Sequence, residues 1–143
     1  MNHDTISLLT HCSAGLRVSI GSVNDVLESV ESPKLRQNLE SYKQAHERLE
    51  SQANAILSAQ GLDPQVTDPM ARGLSWVKTN VKLALKPNDH TVADLMVDRC
   101  HAGIKSLIRQ QNQYPAADLP AKHIADALIQ SNHALVNDLQ SYL

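Results

Sequence analysis

The stretch PKLRQNLESYKQAHERLESQANAILSAQ, residues 33–60, decides the fold. Within it Leu35, Leu39, Tyr42, His46, Leu49, Ala53 and Ile56 step alternately by four and three. That spacing is an unbroken heptad seam, the pattern of a long helix packed against other helices. One member is foreign to a dry core: His46, midway along. At 1.5 Å per residue the helix is on the order of 40 Å long.

The rest of the chain follows the same period. A first helix is expected over about 4–31, capped by Asp4, with Leu9, Cys12, Leu16, Ser19, Val23, Val26 and Val30 on its seam. Leu8, Ile20 and Leu27 lie beside that seam. Gly15 and Gly21 weaken a helix by up to ~1 kcal/mol each, and close backbone approach is the expected compensation. Ser32-Pro33 reads as the N-cap and first position of the second helix, because Pro lacks only a donor that is unpaired there anyway. So short a joint makes the first two helices an antiparallel hairpin.

Gly61 is a natural stop for helix 2. Residues 62–70, with two prolines, are a loop, and a short helix is expected over about 71–86, where Trp76 and Leu83 point away from the apolar stripe toward a second surface. Asn88-Asp89 opens a third long helix, about 90–114, with Ala93, Val97, Cys100, Ile104, Leu107 and Gln111 on its seam. A fourth, capped by Asp118, runs from about 119 to the end with Ala121, Ala125, Leu128, Asn132, Leu135, Leu139 and Tyr142 inward. No strand pattern, repeat or interdomain linker is visible, so one all-α domain over 1–143 is expected. Four long helices joined by two tight turns and one long crossover imply up-down-down-up connectivity, the ferritin-like arrangement.

Composition excludes several classes. The chain has 143 residues, 42% apolar, with no Phe and one Trp, so the core rests on Leu, Ile, Val and Ala. A net charge of −2 and a pI near 6.4 offer no basic face for nucleic acid. No apolar run approaches the roughly 20 residues of a membrane span, and the start does not read as a secretory signal. Two cysteines without a disulfide framework suggest free thiols in a reducing cytoplasm.

Each seam carries one odd residue near its middle: Ser19, His46, Cys100 and Asn132. In a bundle of matched helices the four fall at one level, which is where such bundles keep metal sites. One reading is a hydrogen-bonded layer that fixes register, with a neutral His46 bonded to Asn132 or Ser19. The other is a mononuclear Zn or Fe site using His46 and Cys100, with His101 turned in from the adjacent flank. A third use, redox response through Cys100, competes with an inert buried thiol, because reactive cysteines need exposure and a lowered pKa. Gln130 and His133 share a spacing of three but lie with Lys122 and Asp126 on the polar side of their helix. His3, His11, His90 and His123 form no cluster.

The segments G-L-D-P at 61–64 and G-L-S-W-V-K at 73–78, followed by the third helix, resemble the ferritin-like superfamily, specifically its uncharacterised bacterial branch of small four-helix proteins. Members of the superfamily with a di-iron site carry Glu on helices 1 and 3 and Glu-x-x-His on helices 2 and 4. The corresponding triplets here are Lys43-x-x-His46 and Gln130-x-x-His133, and helices 1 and 3 offer Arg17 or Ser19, and Cys100 or His101. None of the expected carboxylates is present, and Lys43 adds repulsion for a cation. The resemblance therefore implies the bundle without its di-iron chemistry: a structural or interaction module, as a homo-oligomer or with a protein partner. The alternative is the mononuclear metal protein or metalloenzyme at His46, Cys100 and His101.

Overall fold

The computed structural model describes residues 1–63 and 87–143. They form four long helices: α1 (His3–Val26), α2 (Pro33–Ala59), α3 (Asp89–Gln113) and α4 (Leu119–Leu139). Short 3₁₀ turns follow α1 at Leu27–Ser29 and α4 at Gln140–Tyr142. No strand occurs among the described residues, so this part of the chain is all-α. The expected short helix over 71–86, with Trp76 and Leu83, lies outside them.

Each helix begins where a short polar side chain can take an unpaired N–H. Ser32 accepts from Leu35, Asn88 from Thr91 and Asp118 from Ala121. At α1 the cap is Asn2, which accepts from the Thr5 N–H at 2.8 Å, and not Asp4. Asp4 instead accepts from the Ala116 N–H at 2.9 Å, which ties the start of α1 to the α3–α4 turn. α1 also stops short of the expected residue 31. The Glu31 and Ser32 N–H groups are held by the Asp89 carboxylate at 2.8 and 3.0 Å, and Arg36 Nη2 donates to the carbonyls of Leu27 and Val30. These contacts to α2 and α3 satisfy the joint better than another helical turn would.

α2 ends at Gly61, the one described residue with a positive φ outside the range side chains favour, at +74°. There the Gly61 N–H donates to the Ser58 carbonyl and the Leu62 N–H to the Leu57 carbonyl. That double bond pattern needs a left-handed residue, which Gly supplies without steric cost.

The predicted seams are buried except for Gln111 and Tyr142, which are only partly covered, and for one systematic departure on α2. Leu35, Leu39, Tyr42, His46 and Ala53 are inside, but Leu49 and Ile56 are only partly covered and Leu57 takes the final inward position. A straight helix has 3.6 residues per turn, so a strict heptad drifts by ~20° every seven residues, and after three heptads the drift of ~60° exceeds half the ~100° step between neighbours, which brings Leu57 nearer the stripe than Ile56. The expected compensation at two glycines is absent. A Cβ added at Gly21 would meet nothing among the described residues within 4 Å, and one at Gly15 only Leu128 Cδ2 at 4.0 Å. Close approach occurs instead at Gly103, where a Cβ would stand 3.3 Å from Asn132 Nδ2.

α1 and α4 each pack against all three other helices and form the centre of the molecule. The apolar interior falls into two clusters. One gathers Val23, Leu35, Leu39, Met96, Leu135 and Leu139 near the α1–α2 joint. The other gathers Leu8, Leu16, Leu57, Leu107, Ala121 and Leu128 at the opposite end. His46, Ser19 and Asn132 belong to neither cluster.

Candidate functional site

The polar level borders the first cluster, to which its members Tyr42 and Cys100 belong, and is built from α1, α2, α3 and α4. Tyr42 and His46 are one turn apart on the inward stripe of α2, so their rings meet, with centroids 3.9 Å apart. The Tyr42 hydroxyl donates to Asn132 Oδ1 on α4 at 2.6 Å, inside the core. The Cys100 thiol of α3 points at the Tyr42 oxygen from 4.0 Å, the outer limit of an S–H···O contact. His46 Nε2 bonds Ser131 Oγ at 2.9 Å, at the partly covered edge of α4. Ser19 gives its proton to the Gly15 carbonyl of its own helix at 2.8 Å.

Ser19, His46, Cys100 and Asn132 are thus all buried. The partners differ from expectation: His46 bonds Ser131, while Asn132 is taken by Tyr42. A buried Tyr needs an acceptor for its hydroxyl, and that rule, applied to Tyr42 in the seam, would have been the signal for an acceptor such as Asn132. Ser131 had none beyond its place beside Asn132 in the chain.

Burial sets the protonation states. It holds the His46 imidazole well below its ordinary value, at about 4, so the ring is neutral at pH 7. Its Nδ1 is buried and has no partner among the described residues. Burial pushes the Cys100 thiol up to about 11, against the weaker opposing pull of the Tyr42 hydrogen bond and the Arg99 charge. Tyr42 is pushed upward too, first by burial and then by Cys100. The level is therefore made of neutral groups at physiological pH, and its thiol lacks the depressed pKa of a reactive nucleophile.

His101 is exposed, while its neighbour Cys100 is inside. The three residues expected to share a metal are therefore not brought to one point. Among the described residues no group of three or more His, Cys, Asp or Glu side chains is placed to hold a metal ion. Gln130 and His133 are exposed, as are His3, His11, His90 and His123. His3 and His11 flank the Tyr114 ring, at 6.2 and 5.9 Å between centroids. No helix among the described residues is long and apolar enough to cross a membrane.

Beside the polar level, between α1 and α3 with α4 as floor, is a cavity of about 60 Å³. Its lining includes the polar Ser19, Asn132, Arg99, His11 and Gln110 and the apolar Val18, Leu107 and Leu128; along the helices Ser19 and Arg99 stand toward one end of it and His11 and Gln110 toward the other. Arg99 Nε and Gln110 Oε1 are buried and without partners among the described residues. Sequence reasoning missed this cavity. Its only traces are Gly15 and Gly103, whose missing side chains leave the α1–α3 interface thin there.

No protein-family model matches the chain, and no curated protein matches it. Among solved structures the chain is similar to a DUF305 fragment from Deinococcus radiodurans, with a TM-score of 0.76 and 12% identity over 98% of this chain and 95% of that one. At that identity the likeness shows a shared helical fold and nothing about activity. DUF305 is a domain of unknown function.

Proposed function

We propose that this chain is a single-domain, ferritin-like bundle running up-down-down-up, and that it serves as a structural or interaction module without a di-iron centre. The end-to-end ties support the topology. Asp89, opening α3, holds Glu31 and Ser32 at the α1–α2 joint. Tyr142, beyond α4, reaches the same end through Ser32 and His90. At the other end Thr5 of α1 accepts from Asp118, the cap of α4.

The observation that carries the functional reading is the Tyr42–Asn132 bond with its neighbours. The side chains at the level where a ferritin-like protein would ligate iron are spent on one another, and the positions of the acids hold Lys43 and Gln130. Such a layer contributes register and uniqueness to a helical core, as a buried Asn does in coiled coils. Buried free thiols at Cys12 and Cys100 suit a reducing, cytoplasmic setting.

Elemental analysis of protein purified without an affinity tag, combined with light scattering, tests the reading. The expected result is a self-associated protein with far less than one Zn or Fe per chain. Two iron atoms per chain would overturn it. One metal per chain, lost in His46→Ala, would favour the mononuclear site at His46, Cys100 and His101. A monomer, unchanged in Trp76→Asp, would remove the self-association.

A further inference from the structure

We propose that the α1–α3 cavity is a binding site for a small monocarboxylate, with Arg99 holding the carboxylate and the apolar lining of Val18, Leu107 and Leu128 holding a short aliphatic chain. This goes beyond the module reading and does not depend on it.

The argument starts from an uncompensated charge. Arg99 is partly covered, and no acid pairs with it among the described residues. The groups nearest it electrostatically are Tyr42 and Cys100. Burial keeps both protonated at physiological pH, so neither can supply a negative charge. Arg99 Nε is buried and has no partner among the described residues, although the side chain as a whole is only partly covered. An unpartnered buried donor on a cation is unfavourable, and a planar carboxylate is an anion whose two oxygens match a guanidinium fork. Asn132 is turned to assist. Its Oδ1 is used by Tyr42, which leaves the Nδ2 donor, pressed close to Gly103, for an incoming acceptor in the same cavity.

Size and polarity then limit the ligand. The cavity of about 60 Å³ holds roughly four waters by the usual minimum per site. Part of its lining is apolar, and a short alkyl chain against it displaces water that Val18, Leu107 and Leu128 cannot bond. Gln110 and His11 close the far end. Arg99 and Gln110 are eleven residues apart on one helix, about 16 Å along its axis, so a short acid held at Arg99 does not reach Gln110 and fills only the Arg99 end of the site. Butyrate is the natural probe.

The experiment is a titration of sodium butyrate into the full chain, followed by amide NMR at Gly15 and Gly103 and the Asn132 side chain, and by the melting temperature. The expected result is saturable shifts confined to the cavity, a rise in melting temperature, and binding at least tenfold weaker for butyramide, which has the shape without the charge. Arg99→Gln, checked for folding by circular dichroism, loses at least tenfold in butyrate affinity. Equal responses to butyrate and sodium chloride, equal binding of butyramide, or no saturable shift in the wild-type protein would each overturn the assignment. The butyramide comparison needs no variant, so it stands even if Arg99→Gln fails to fold.

Discussion

Replacing His46 by Leu should remove most of the acid sensitivity of this protein's stability. His46 is fully buried, and burial lowers its pKa from 6.5 to about 4. In the unfolded chain the same imidazole takes a proton near its ordinary value. Between those two values the unfolded state binds a proton that the folded state refuses, so stability rises with pH across that window. The contribution is fully present above the unfolded value, falls as the pH drops through it, and is exhausted below the folded one. At ~1.36 kcal/mol per pH unit the span amounts to about 3 kcal/mol. Leu has similar volume and no charge, and the Ser131 hydroxyl it would leave behind sits at a partly covered edge where water can reach it. His11 is also held below its ordinary value by burial, with the same sign, but it is common to both proteins and cancels in the difference. The assay is urea unfolding of wild type and His46→Leu from about pH 7.5 to about pH 4. The expected outcome is that the stability of wild type relative to the variant declines by about 3 kcal/mol over that range. Parallel stability curves, or a His46 resonance titrating near 6.5 in the folded protein, would refute the reasoning.

Three further outcomes follow from the same geometry. Tyr42→Phe strands the buried Asn132 carbonyl and should cost about 1–3 kcal/mol in chemical denaturation, most of it recovered when Asn132→Leu is added; additive losses would show that the bond is not what couples α2 to α4. Gly21→Ala places a methyl on α1 where no atom of the described residues lies within 4 Å and should stabilise by about 0.5–1 kcal/mol in thermal melts, while Gly103→Ala, crowding Asn132, should give little or none of that gain. Burial pushes Cys12 up to about 12 and Cys100 up to about 11, so both thiols should react with a disulfide reagent only at the rate the protein opens; rapid labelling of either in native buffer would contradict their placement.

The alternating four-three spacing of residues 33–60, and its weaker copies in the other three helices, was enough to place the four long helices of the described residues, most of their inward faces and the N-caps Ser32 and Asp118, because these depend on local chain geometry. Local reasoning went astray where a distant group competed. Asp4 left the cap of α1 to Asn2 because Ala116, more than a hundred residues away, offered an N–H. The first helix ended early because Asp89 and Arg36 satisfied the joint.

The candidate site divides along the same line. That Ser19, His46, Cys100 and Asn132 would be interior was readable from periodicity, since a residue's face on a helix follows from its number. Their partners were not, because a helical period gives direction but neither the rotation of one helix against another nor the reach of a side chain across the gap. Packing alone decided that Tyr42 takes Asn132, that His46 reaches Ser131 and that His101 faces solvent beside a buried Cys100. The cavity beside Arg99 is likewise a property of how closely α1 and α3 approach each other, a distance that no stretch of either helix encodes by itself.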